Sequence, residues 1–325
     1  MDLFVTGICA FLVVNDQMTI GTMMTISFLL GQITSPINQL LKFSRQAQYA
    51  KLSNNRVQEV TGHPKESDGD KDPVPKESIQ ANISFEHVDF KYPGTKSRNV
   101  LNDINLKINN QQVTAIVGVS GSGKTTLLKL LMGFYFPTKG ELLIGDHDIS
   151  RINCDDWRRH CGVVMQNGYI FSGSIKQNIT LDEKNINQPL LEQAIKLSCL
   201  QDFISSMPMD LDTKIGETGL PISGGQRQRI LIARAIYKNP DYLFFDEATN
   251  SLDATNEREI MNNLERYYSG RTVVIIAHRL STVKNADKIV VLDSGQIVEQ
   301  GTHEELTAKK GKYYELVKNQ LELGM

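Results

Sequence analysis

The 325-residue chain reads as an α/β protein, a mostly parallel sheet covered by helices, preceded by an α-helical apolar segment of transmembrane character. Three observations predict this. Short apolar runs at 83–90, 113–117, 162–165, 242–245, 272–277 and 288–292 alternate with helical patterns at 189–198, 225–238, 255–268 and 303–323. Such alternation favours parallel strands with helical crossovers. The 113–117 run also feeds a glycine-rich loop that opens directly into an apolar helix, Thr126-Leu127-Leu128-Lys129-Leu130-Leu131. Finally, no Lys or Arg occurs before Lys42, and apolar residues dominate that stretch.

Taken in order, residues 3–14 form a short hydrophobic run, Asn15-Asp16-Gln17 break it, and 18–35 form a second run. A membrane span needs about 20 apolar residues, with cations gathering on the cytoplasmic side. The second run is just long enough, and Lys42, Arg45, Lys51 and Arg56 follow it. The first run is too short to cross alone. A secretory signal is not expected, because the basic leading region and small-residue cleavage site are missing. The prediction is a helical hairpin with an external turn at 15–17 and its first arm cut short; a buried pair of core helices is the alternative. From 36 to 60, apolar residues at helical spacing mix with Gln, Asn, Lys and Arg, as in a helix leaving the membrane for the cytosol. Residues 61–80, rich in charge and lacking aromatics, read as a linker. The expected domains are 1–60, the linker 61–80, and 81–325.

Composition supports a globular core and excludes some partners. The chain is 40% hydrophobic and 22% charged with a formal charge of −2, so neither a basic nucleic-acid surface nor an acidic tail is indicated. Its four cysteines form no C-x-x-C pair and match no zinc or disulfide framework, which fits reduced thiols in a cytosolic domain.

The most specific chemistry is Gly118-Val119-Ser120-Gly121-Ser122-Gly123-Lys124-Thr125. Strand, G-x-x-x-x-G-K-T loop and helix together make the Walker A phosphate cradle. Glycines let backbone N–H groups converge on phosphate oxygens, and the helix N-terminus adds free donors. Lys124 supplies charge for the β- and γ-phosphates, and the Thr125 hydroxyl is a Mg²⁺ ligand. The cradle is expected to extend to Thr126.

Tyr242-Leu243-Phe244-Phe245-Asp246-Glu247 is an apolar strand ending in two carboxylates. Beside a phosphate loop this is the Walker B arrangement: Asp246 holds Mg²⁺ and Glu247 orients or deprotonates the attacking water. Between the two motifs, Ser223-Gly224-Gly225-Gln226 opens a helix and makes a second anion site. One nucleotide does not need two such loops, so this one is read as binding the nucleotide of another subunit.

With these residues in place, 81–325 resembles the nucleotide-binding domain of ABC ATPases nearly end to end. Ile222 to Gln226 is similar to the family signature L-S-G-G-Q, with Ile for Leu. Tyr92, in Phe90-Lys91-Tyr92-Pro93, resembles the aromatic that stacks on adenine. Gln166 resembles the residue that reaches Mg²⁺ and the attacking water. Asn250-Ser251-Leu252-Asp253 resembles the D-loop, departing from the commoner S-A-L-D, and His278 resembles the switch histidine. The resemblance implies a P-loop NTPase fold with a helical subdomain and bound ATP and Mg²⁺. It also implies Glu247, His278 and Gln166 as catalytic residues, and metal ligation by Thr125, Gln166 and Asp246.

Gly216-Glu217-Thr218-Gly219 resembles the segment of exporters that contacts the membrane domain. Residues 18–60 resemble the last membrane helix of an exporter half-transporter, closest to peptidase-containing bacteriocin or peptide exporters. These exporters carry six membrane helices per half, so the expectation is an N-terminally truncated chain that hydrolyses ATP without forming a translocation path alone. Two nucleotide domains are expected to pair head to tail as a homodimer, at the plasma membrane with the nucleotide domain cytoplasmic. A soluble ABC ATPase acting on nucleic acid or ribosomes is the alternative, opposed by the charge balance and the apolar N-terminus. A P-loop kinase or GTPase leaves the signature loop unexplained.

Overall fold

Asn15, Asp16 and Gln17 interrupt two apolar stretches, and the structure, a computed structural model, turns the chain there. It describes residues 2–62, 71–94, 98–181, 184–248, 254–277 and 283–322. The chain divides into two units, Met1–Gly69 and Asp70–Met325. In the first, α1 (Asp2–Val14) ends at a turn in which Asp16 takes a left-handed φ of 54°, a conformation its short polar side chain tolerates. Thr19 then caps α2 (Ile20–Thr61), its hydroxyl accepting the Thr22 N–H at 3.3 Å. The apolar run and its polar extension form one helix of 42 residues that passes through Pro36 without a break. The Thr25 and Thr34 hydroxyls return to the Gly21 and Leu30 carbonyls at 2.9 Å, so neither leaves an unsatisfied donor on an apolar helix. Among the described residues α2 is the one helix long and apolar enough to cross a membrane, with a mean hydropathy of 1.3 over 18 residues.

In the second unit, β1 (Ile83–Phe90) and β2 (Leu101–Ile108) form an antiparallel pair, and β3 (Val113–Val117) leads into α3 (Lys124–Leu131). β4 (Lys139–Ile144) and β5 (His147–Asp148) complete an antiparallel sheet ordered β2-β1-β4-β5. Then come α4 (Cys154–Arg159), β6 (Cys161–Val164), β7 (Gly173–Ser174), α5 (Ile175–Thr180), α6 (Gln188–Leu197), α7 (Gln201–Ser205), β8 (Lys214–Ile215) and α8 (Gly224–Tyr237). The remainder is β9 (Tyr242–Asp246), α9 (Ala254–Tyr268), β10 (Thr272–Ile276), β11 (Lys288–Asp293), β12 (Gln296–Gly301), α10 (His303–Lys309) and α11 (Lys312–Glu322). The stretch 303–323 is thus two helices rather than one, broken where Lys310 turns left-handed at φ 53°.

The main sheet runs β12-β11-β3-β10-β9-β6, parallel except for β12. Its central strands are apolar throughout because both faces are covered. Ala115, Leu243, Phe245, Val273 and Ile275 face one hydrophobic core, which includes Ile230 and Leu231 of α8. Ile116, Phe244, Val274 and Ile276 face the other, with Leu127 of α3 and the antiparallel sheet. Strands β3 and β9 flank β10 in register, so the 118–123 loop and Asp246 emerge at the same edge.

The 61–80 stretch is not featureless in its second half. Asp72 bridges Ile152, the Val74 N–H donates to Asp156 Oδ2 at 2.9 Å, and the Val74 side chain is buried. The Tyr242 hydroxyl, at the start of β9, accepts the Ala81 N–H at 2.9 Å and lies 2.9 Å from the Ala81 carbonyl. Charge and missing aromatics hid this strap, because backbone hydrogen bonds rather than its own side chains hold most of it.

Candidate functional site

The loop between β3 and α3 is shaped by close approach. A Cβ on Gly118 would collide with the Leu292 carbonyl oxygen, so the chain passes over β11 only as glycine. Gly123 caps α3 at φ 107°, a backbone region side chains rarely adopt. Lys124, the first residue of α3, folds back over the loop and donates to the Gly118 and Val119 carbonyls, each at 2.9 Å. Burial holds its ammonium below the usual lysine range, against the opposing pull of the Glu247 and Asp246 carboxylates. The buried Ser122 hydroxyl has no hydrogen-bond partner among the described residues. Buried polar groups are seldom left this way, and here the orphan sits in a loop suited to an anion.

Strand β9 delivers the acids. Asp246 is 1% exposed, and its Oδ2 accepts from the Thr125 hydroxyl at 3.0 Å. Glu247 leaves the strand at φ 53°, with its N–H donating to the Ile276 carbonyl at 3.0 Å. That conformation costs about 1–3 kcal/mol for a non-glycine residue. It sets the Glu247 carboxylate against the Gln166 amide, whose Nε2 donates to Oε2 at 2.9 Å. Gln166 follows β6, the strand beside β9. Lys124, Thr125, Gln166, Asp246 and Glu247 therefore form one constellation at the sheet edge. Hydroxyl, carboxylate and amide oxygens are the donors that hard Mg²⁺ takes, so Thr125, Asp246 and Gln166 fit that ion.

Tyr92 joins the constellation from the antiparallel sheet, its hydroxyl 3.1 Å from the Thr126 hydroxyl. Its ring meets Phe90 and Tyr135 edge-on, at centroid distances of 5.0 and 5.1 Å. The Lys129 ammonium lies 5.5 Å from its centroid. Sequence reasoning missed Tyr135 and Lys129; the aromatic triplet Phe134-Tyr135-Phe136 just after α3 was the available signal.

Ser223 to Gln226 stand apart. Ser223 caps α8 in a capping box: its hydroxyl accepts the Gln226 N–H at 3.2 Å, and its own N–H donates to Gln226 Oε1 at 2.8 Å. Among the described residues, these hydrogen bonds stay within the start of α8 and none reaches the 118–126 loop. Asp253 and His278 lie outside the described residues.

Residues 101–250 match the ABC transporter family. The chain carries an ABC transporter ATP-binding domain. It is 42% identical over 314 residues to the leukotoxin translocation ATP-binding protein LktB of Mannheimia glucosida, covering 97% of this chain and 44% of that protein. It is 43% identical over 305 residues to the leukotoxin export ATP-binding protein LtxB of Aggregatibacter actinomycetemcomitans, covering 94% and 43%. Among solved structures, a bacterial Atm1-family ABC exporter with ATP bound superposes with a TM-score of 0.77 at 33% identity, covering 94% of this chain and 53% of that one. The chain thus spans less than half the length of these curated relatives. Within the ABC domain, the Walker A loop, the Walker B strand and the α8 cap sit on the elements that the sequence motifs implied.

Proposed function

We propose that this chain binds ATP with Mg²⁺ and hydrolyses it as the nucleotide-binding part of an ABC exporter. One observation carries the reading: Lys124 and Thr125 on α3, Asp246 and Glu247 ending β9, and Gln166 after β6 converge at one sheet edge. The exporter part rests on the relatives, named for toxin translocation, and on the apolar helix α2. That support favours a membrane exporter over a soluble ATPase.

On this reading Tyr92 stacks on adenine, and the backbone of 118–126 holds the phosphates. Lys124 gives up its carbonyl partners to meet phosphate oxygens. Mg²⁺, when bound, would supply positive charge that neutralises charge developing on the phosphates. Thr125, Asp246 and Gln166 would hold it. Glu247 orients the attacking water and accepts its proton, and the Gln166 amide fixes the carboxylate for that task. His278 is assigned to the γ-phosphate and Asp253 to communication between subunits. Ser223 to Gln226 of a second copy close the other side of the nucleotide, a head-to-tail pairing that leaves the ABC domain cytoplasmic beside a plasma-membrane transmembrane part.

The test is Glu247→Gln in the full chain in detergent micelles. The amide keeps an acceptor for Gln166 but cannot take a proton. Turnover is expected to fall at least about a hundredfold with ATP affinity retained. Unchanged turnover would place the base elsewhere.

A further inference from the structure

The segment that carries Gln166 is held in place chiefly by α8. Gly168 lies so close to Leu231 of α8 that a Cβ at 168 would run into that side chain. One turn further along α8, the Arg234 guanidinium reaches three acceptors on the same segment. Its Nε donates to the Asn178 carbonyl at 2.7 Å, one terminal nitrogen to the Tyr169 carbonyl at 2.9 Å, and the other to Asn178 Oδ1 at 3.1 Å. The plane also covers the Phe171 ring at 5.1 Å.

Asn178, 1% exposed, extends the clamp. Its Oδ1 accepts the Phe171 N–H at 2.8 Å, and its Nδ2 donates to the Phe171 carbonyl at 2.9 Å and the Ser174 carbonyl at 3.1 Å. The amide thus substitutes for a strand partner along a stretch that has none at Phe171. Burial drives the guanidinium down to about 10, so holding this cation there is costly unless it is compensated, and each of its three nitrogens donates to an acceptor. A lysine at 234 has no planar fork and could not serve three such acceptors at once.

We propose that Arg234 is a positioning residue for hydrolysis: with Asn178 it fixes the loop leaving Gln166, and so sets the 2.9 Å contact between Gln166 and Glu247. This rests on the ATPase reading above. Arg234 touches no reacting atom. It acts through Gln166, and the placement of Gln166 governs the carboxylate that handles the water. Among the described residues none of the clamp's hydrogen bonds reaches the nucleotide cradle at 118–126, so turnover should suffer before nucleotide binding does.

The experiment is a double-mutant cycle in the full chain in detergent micelles, measuring kcat, KM for ATP and nucleotide affinity. Arg234→Lys should lower kcat about tenfold while affinity and KM stay within about twofold. In a Gln166→Ala background the same substitution should change kcat by less than about twofold, because the residue it acts through is gone. If Arg234→Lys does not fold, Asn178→Asp completes the cycle, since it keeps both acceptors for Arg234 and sets a carboxylate oxygen against the Phe171 and Ser174 carbonyls in place of the donor. Full additivity of the two lesions, an unchanged kcat, or a loss confined to affinity would overturn the proposal. A wild-type chain without ATPase activity would instead overturn the functional reading beneath it.

Discussion

At the scale of the residue, Lys124 is the side chain whose resting state says most about its task. Burial weakens its hold on the proton, and two carbonyls occupy its ammonium at 2.9 Å. A phosphate that replaces those carbonyls supplies full negative charge to a partly desolvated cation, a stronger partner than a neutral oxygen. Lys124→Ala should therefore weaken ATP binding at least about tenfold, measured by equilibrium titration, and full retained affinity would contradict the phosphate role. The cysteines lead to the opposite expectation. Burial, with the Glu259 carboxylate adding to it, pushes the Cys199 thiol up to about 11, and burial raises Cys161 as well. Cys154 is also buried. At pH 8 the native Cys199 should react with iodoacetamide roughly a hundredfold more slowly than a free thiol. Rapid native-state alkylation at Cys161 or Cys199, read by mass spectrometry, would show these environments to be wrong.

At the scale of the element, the strap of residues 71–82 is pinned on the start of β9, the same strand whose end carries Asp246. The fully buried Tyr242 satisfies the Ala81 N–H and reaches the carbonyls of Ser78 and Ala81. Tyr242→Phe keeps the ring and strands a backbone donor, at a cost of about 1–3 kcal/mol. The melting temperature of the ABC domain should fall by several degrees, while ATP affinity holds; no shift in melting would mean the strap is not anchored there. This strap also shows where sequence reading stops. Strands β3, β9 and β10, buried on both faces, announce themselves as unbroken apolar runs, and the glycine loop and acidic strand end carry their chemistry in plain spacing. The β2 strand, Leu101–Ile108, alternates buried Leu and Ile with Asn, Asp and Lys, so it offered no apolar run. The clamp around Asn178 was equally silent, because Arg234 and Asn178 stand 56 residues apart and only the fold joins them.

At the scale of the whole molecule, the site described so far is one-sided. The cradle, acids and Gln166 gather at one sheet edge, whereas at the tip of α8 the Ser223 hydroxyl accepts the Gln226 N–H and Gln226 Oε1 accepts the Ser223 N–H. A helix N-terminus with its first turn turned outward is complementary to an anion it does not itself hold. If two copies pair head to tail, each nucleotide needs the cradle of one and the α8 tip of the other. That symmetry makes a mixing experiment decisive. Lys124→Ala removes the cradle charge, and Gly225→Asp places a carboxylate where an anion should sit. Each variant alone should be inactive. In a mixed dimer, one site carries both lesions and the other carries neither. Equal mixing should then restore roughly a quarter of wild-type turnover if the two sites act independently, since about half the dimers are mixed and each has one intact site. Co-purification of differently tagged copies establishes that mixed dimers form. Mixed dimers with no recovered turnover would show that cradle and α8 tip serve the same copy, or that a single intact site does not turn over, and single-turnover ATP cleavage by the mixed dimer separates the two. Cleavage at the intact site keeps the head-to-tail arrangement; its absence ends it.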